Sequence, residues 1–141
     1  MKDRHIEVDL SAIEATVFLL LLGRARDAQR SDSLLSDFYA RDIFDSLDFD
    51  FSSLEQDDHA EGEQLSWAIR AWNFDNEIRG FLAEKGAAAV INIGAGLDTT
   101  FQRVDDGDMR WVNIDLPGVA EIRKMRIADR LRIYRMVHVT L

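Results

Sequence analysis

The run AAAVINIGAG, residues 87–96, narrows what this chain can fold into more than any other stretch. Val90, Ile91 and Ile93 make a short apolar segment, as expected of a central parallel strand covered on both faces, and Gly94-Ala95-Gly96 follow it with no spacer. Glycine lets the backbone turn sharply and lets a ligand approach without a β-carbon in the way. A second strand is predicted over MRWVNID, Met109 to Asp115, so that a carboxylate ends it about 20 residues beyond the first glycine, where α/β proteins that bind nucleosides hold ribose hydroxyls. A lone GxG is a weak signal. The same pair of glycines after an apolar strand, with an acid closing the next strand, is more specific, and the competing reading is a tight strand-to-helix turn with a solvated strand end.

The elements around this loop follow from period and punctuation. Between the two strands lies a short amphipathic piece, Thr99 to Val104, and then the turn DDGD. LPGVAEIRKMRIA reads as a helix with Pro117 in its first turn, and IYRMVHVTL reads as a third strand with Val137, Val139 and Leu141 on one face. Upstream the grammar is helical. One helix is predicted from Ser11, with Glu14 completing a capping box, to about Asp27. A second is predicted from about Ser33 to Ser46, with Leu34, Leu35, Phe38, Tyr39, Ile43, Phe44 and Leu47 at helical spacing. DFDFSSLEQDDHAEGE, residues 48–63, reads as an exposed connection. A third helix is predicted over Glu63 to Lys85, turning Leu65, Ala68, Ile69, Trp72, Ile78 and Leu82 to a common side, with Gly86 placed to stop it. The organisation expected is a helical amino-terminal cover, residues 1–86, and the start of a cofactor-binding core, residues 87–141, forming one structural unit.

Composition excludes several functions. A chain of 141 residues that is 47% hydrophobic can bury one modest core. Its formal net charge of −9 opposes binding to nucleic acid or anionic membrane. With no cysteine there are no disulfides, thiolate nucleophiles or cysteine-ligated metals. The most apolar run, Val17 to Leu22, falls far short of the roughly 20 residues that cross a bilayer, and acids rather than bases precede it, unlike a secretory signal. A cytoplasmic protein is expected. His5, His59 and His138 are scattered singly and are assigned no catalytic role. Asp57-Asp58 and Asp105-Asp106 fit no calcium loop and read as solvated turns. Trp67, Trp72 and Trp111 are expected to pack rather than to serve as stacking platforms.

A dinucleotide cofactor fits the loop poorly. The GxGxxG fingerprint needs a third glycine where Thr99 stands, and Asp98 would set negative charge beside a pyrophosphate. An acid there suits a cofactor with a cationic sulfonium and an ammonium group. VINIGAGLDTTFQRV, the turn DDGD and RWVNIDLPGVAEIRK together closely resemble the leucine carboxyl methyltransferase superfamily, in particular its bacterial polyketide-type O-methyltransferase branch. LSWAIRAWNFDNEIRGFL and SAIEATVFLLLLGRA resemble that family's helices upstream of the first strand, so the resemblance covers roughly residues 10 to 128.

The resemblance implies an α/β fold of the class I methyltransferase type, a Rossmann-like sandwich with a helical amino-terminal cover. It also implies methyl transfer from S-adenosylmethionine to a carboxylate or hydroxyl oxygen of a small molecule or protein. Carried over residue by residue, Gly94 and Gly96 would pass close to the cofactor's methionine portion, Asp98 would stand near its amino group, Asp115 would hold its ribose and Arg70 would grip its carboxylate. No metal is implied. An in-line displacement onto a carboxylate is governed mainly by positioning, so a catalytic base need not be present. Thr100 departs from the arginine that the family commonly carries after GAGLDT. The family's second half is not recognisable, so the fold is expected to be incomplete. The alternative to an enzyme is then a non-catalytic remnant that associates with itself, or with a partner, through an exposed sheet edge.

Overall fold

A computed structural model describes residues 17–52, 61–127 and 136–140. In chain order the elements are α1 (Val17–Asp27), α2 (Phe38–Ser46), α3 (Glu61–Lys85), β1 (Ala89–Ile93), α4 (Thr100–Val104), β2 (Arg110–Asp115), α5 (Pro117–Ile127) and β3 (Met136–Thr140). The chain divides into two compact units, residues 1–70 and 71–141.

In the amino-terminal unit α1 packs on α2. Phe18, Leu21, Leu22 and Ala25 of α1 are buried, and the helix ends at Asp27, as its pattern predicts. The predicted start at Ser11 lies outside the described residues. Trp67 of α3 lies so close to α1 that a β-carbon at Gly23 would come within 2.6 Å of its ring. The second helix starts later than its periodicity predicts. Asp27 is buried and folds the chain after α1 around its carboxylate, which accepts hydrogen bonds from the Ser33 hydroxyl (2.7 Å) and from the amides of Leu34 and Leu35 (3.2 and 3.0 Å). These contacts take residues 33–35 out of helical geometry, and Ser36 follows with a φ of 53°. Asp37, fully buried, becomes the N-cap: its carboxylate accepts from the Ala40 amide at 3.0 Å and pairs with Arg24 at 3.3 Å.

The segment read as an exposed connection is apolar at its start. Phe49 and Phe51 stack with Phe18 and Phe44 at centroid distances of 4.4 to 5.8 Å. Two phenylalanines alternating with acids satisfy no helical period, so the sequence concealed their packing. Residues 53–60, with Asp57-Asp58 and His59, lie outside the described residues, and Glu61 to Glu63, read as part of the connection, already belong to α3.

In the carboxyl-terminal unit β1, β2 and β3 form a parallel sheet in that order, with Val90 opposite Trp111, Asn92 opposite Asn113, and Asp115 opposite Thr140. α5 packs on β2 and β3. Gly86, at φ +69°, closes α3 by donating its amide to the Leu82 carbonyl at 2.9 Å, the stop expected of it. On one face of the sheet Leu82, Phe101, Val104, Met109 and Trp111 form a core, joined by Ile78, Ala88 and Val90. Phe101 meets Trp111 edge to face at 5.8 Å. The opposite face of β1 is not covered, contrary to expectation: Ile91 is 62% and Ile93 74% exposed. Of the α3 residues expected on a common side, Ala68 and Leu82 are buried and Ile78 partly so, whereas Leu65, Ile69 and Trp72 are exposed. Of the three tryptophans, then, Trp111 is core, Trp67 packs on α1 and Trp72 is 42% exposed.

Candidate functional site

The loop from Gly94 to Thr99 joins β1 to α4 at the carboxyl ends of the strands. Its conformation depends on glycine, because Gly94 and Gly96 adopt φ of +66° and +53°, the left-handed region that costs other residues about 1–2 kcal/mol. A β-carbon on Gly94 would meet no atom within 4 Å, so backbone conformation rather than crowding requires glycine there. The amides of Gly94 and Ala95 both donate to the Ile114 carbonyl, at 2.8 and 3.3 Å, tying the loop to the end of β2.

Asp115 completes that tie. One oxygen of its carboxylate accepts the Gly96 amide at 2.5 Å and the other the Leu116 amide at 2.7 Å. It therefore braces the glycine loop, and each oxygen keeps a second lone pair for another donor. Arg123, from α5, holds the loop from beneath: 1% exposed, it donates to the Gly96 carbonyl at 2.9 Å.

Asp98 is placed by a polar network that starts in the core. The Trp111 indole N–H donates to the Asn113 side-chain oxygen at 2.8 Å, and the Asn92 amide donates both to that oxygen (3.3 Å) and to the Asp98 carboxylate (3.1 Å). The register pairing Asn92 with Asn113 makes this ladder possible. On its other side the Asp98 carboxylate accepts the Thr100 hydroxyl at 2.8 Å. Thr100 and Thr99 in turn accept from Arg103, at 3.0 and 2.7 Å, and Arg103 forks onto Asp75 of α3 at 2.7 and 2.9 Å. Arg103 and Asp75 are 7% and 2% exposed.

Of the sequence-predicted site residues, the structure gathers Gly94, Gly96, Asp98 and Asp115 into one loop and strand end of the carboxyl-terminal unit. Arg70 is exposed on α3, in the amino-terminal unit. Asp105 and Asp106 form the turn expected, their carboxylates accepting the amides of Gly107, Asp108 and Met109. Among the described residues no group of three or more His, Asp or Glu could hold a metal, and no described helix is long and apolar enough to cross a membrane.

Sequence reasoning missed Asp75, Asn92, Arg103, Asn113 and Arg123. A charged or amide side chain on a helix or strand is ordinarily a solvated one. The available signal was position: Asp75 shares a helix face with Ile78 and Leu82, and Arg123 one with Val119 and Ala120.

A parallel α/β sheet whose first strand runs into a glycine loop braced by the acid of the second defines a protein of the mixed α/β class compatible with methyltransferases. The family model for leucine carboxyl methyltransferase matches residues 18–135, and the chain belongs to that family. It is 29% identical over 131 residues to the tetracenomycin polyketide synthesis O-methyltransferase TcmP of Streptomyces glaucescens. That alignment takes in 92% of this chain and 47% of the relative, so the chain spans about half the length of the protein it matches.

Proposed function

We propose that this chain carries the S-adenosylmethionine-binding part of an O-methyltransferase whose acceptor is a carboxylate or hydroxyl of a small molecule or protein, on an incomplete class I, Rossmann-like framework. The observation that carries the reading is the brace between Asp115 and Gly96, because it puts an acid and a glycine turn side by side at the strand ends. The donor and acceptor set suits the cofactor. Ribose hydroxyls donate, and Asp115 retains lone pairs to accept them. An ammonium donates, and Asp98 offers a carboxylate held in place on both sides. Gly94 leaves the backbone bare. The family resemblance assigns Arg70 to the cofactor's carboxylate. When bound, the cofactor supplies the methyl group, and this chain's residues bind and orient it.

Calorimetric titration of the purified chain with S-adenosylmethionine and S-adenosylhomocysteine tests this reading. Saturable binding to both is expected, lost in Asp115→Ala. A folded sample that takes up neither would overturn it. The exposure of Ile91 and Ile93 favours a second reading in which the chain acts as a self-associating module without catalysis, and light scattering on the same sample distinguishes the two.

A further inference from the structure

We propose that Trp111 is a positioning residue for the glycine loop: its indole N–H fixes the orientation of two side-chain amides, Asn113 and Asn92, and through them the hydrogen bond that holds Asp98. This rests on the cofactor reading above and adds to it a residue of the core.

Each step of the relay leaves one choice. An indole nitrogen can only donate, so the atom of Asn113 that faces it at 2.8 Å is the oxygen. That oxygen also faces the Asn92 side chain at 3.3 Å, and two acceptors do not pair, so Asn92 presents its nitrogen. The same nitrogen donates to Oδ2 of Asp98 at 3.1 Å. Turned the other way, Asn92 would set its own oxygen against the carboxylate.

The orientation is held against a cost. Asn113 is 2% exposed, and its Nδ2 is buried with no hydrogen-bond acceptor among the described residues, an unfavourable state for a donor. Turning this amide over would bring Nδ2 to Asn92 but would also set it against the indole N–H, donor facing donor. Trp111 is 1% exposed and is fixed in the core, with Phe101 edge to face against it. The indole therefore keeps the amide as it is.

The relay ends in the loop. The Asp98 amide donates to the Ala95 carbonyl at 3.0 Å, so holding the Asp98 side chain holds the turn that carries Gly96. Nothing in this requires Asp98 to lack a cation, because the Thr100 hydroxyl at 2.8 Å and the Arg103 guanidinium at 4.0 Å both meet its other oxygen, Oδ1.

The test removes the N–H and keeps the shape, by replacing Trp111 with benzothienylalanine, in which sulfur takes the place of the indole N–H. S-adenosylhomocysteine is titrated by calorimetry into the full wild-type chain, this variant, Asn92→Ala and the combination. Each single change should weaken binding about tenfold, the magnitude of one hydrogen bond to a charged group. The combination should bind no more weakly than Asn92→Ala alone, because both changes break one relay. If the benzothienylalanine chain does not fold, Asn113→Leu takes its place, with the same loss expected in the wild-type background and none in Asn92→Ala. Wild-type affinity without the N–H, or losses that multiply in the combination, would overturn the relay and leave the cofactor site standing. A wild type that binds no S-adenosylhomocysteine overturns the cofactor reading itself, and the role of Trp111 with it.

Discussion

At the scale of single residues, the two glycines do different work from the acids around them. Gly94 holds φ +66° with open space where a β-carbon would sit, so alanine there strains the backbone and collides with nothing. Gly94→Ala should cost about 1–2 kcal/mol in urea denaturation and, on the proposed cofactor reading, weaken S-adenosylhomocysteine by at least tenfold, because a methyl group would then stand where that reading has the ligand approach; equal binding by the variant would remove Gly94 from the proposed site. This loop was legible from sequence because its constraint is local: two glycines after an apolar run, and an acid one strand later. The clamp that positions it was not. Asp75 and Arg103 are 28 residues apart and meet only when α3 and α4 pack on the same sheet face. Arg123 is one of several charges on a helix whose buried side is known only once the sheet is in place.

At the scale of elements, boundaries were set by which side chain first captured the free amides. Ser33, Asp37 and the periodic apolar residues between them are compatible with a helix from 33 or from 37, and the choice is made by Asp27, a tertiary partner outside the pattern. The two starts predict opposite mutational orders. Asp37→Ala removes the N-cap acceptor of α2 and leaves Arg24 buried without that carboxylate, so it should destabilise the fold by about 2–4 kcal/mol. Ser33→Ala removes one hydroxyl donor and should cost about 1 kcal/mol. Chemical denaturation of both variants checks the order, and a larger loss from Ser33 would restore the earlier start. The same dependence on partners explains the aromatic cluster. Phe49 and Phe51 lie in an acidic run, and only Phe18 and Phe44 reveal them as packed.

At the scale of the whole molecule, the sheet raises the question of what its bare face is for. Parallel strands are ordinarily covered on both faces. Yet β1, at the margin of the sheet among the described residues, pairs on one side with β2 and turns Ile91 and Ile93 outward at 62% and 74% exposure. An exposed isoleucine adds little to the stability of the chain that carries it, whereas burying one against a partner contributes about 1.5–3 kcal/mol. Association and folding can therefore be separated. If the bare face mediates self-association, Ile91→Thr with Ile93→Thr should leave the urea midpoint within about 0.5 kcal/mol of wild type and shift light scattering toward the monomer by at least tenfold in dissociation constant, since two buried side chains are lost from each protomer. A sheet that folds less stably after the substitution would show that these residues already pack within the chain. An unchanged molecular mass with unchanged stability would mean that the face takes no second copy.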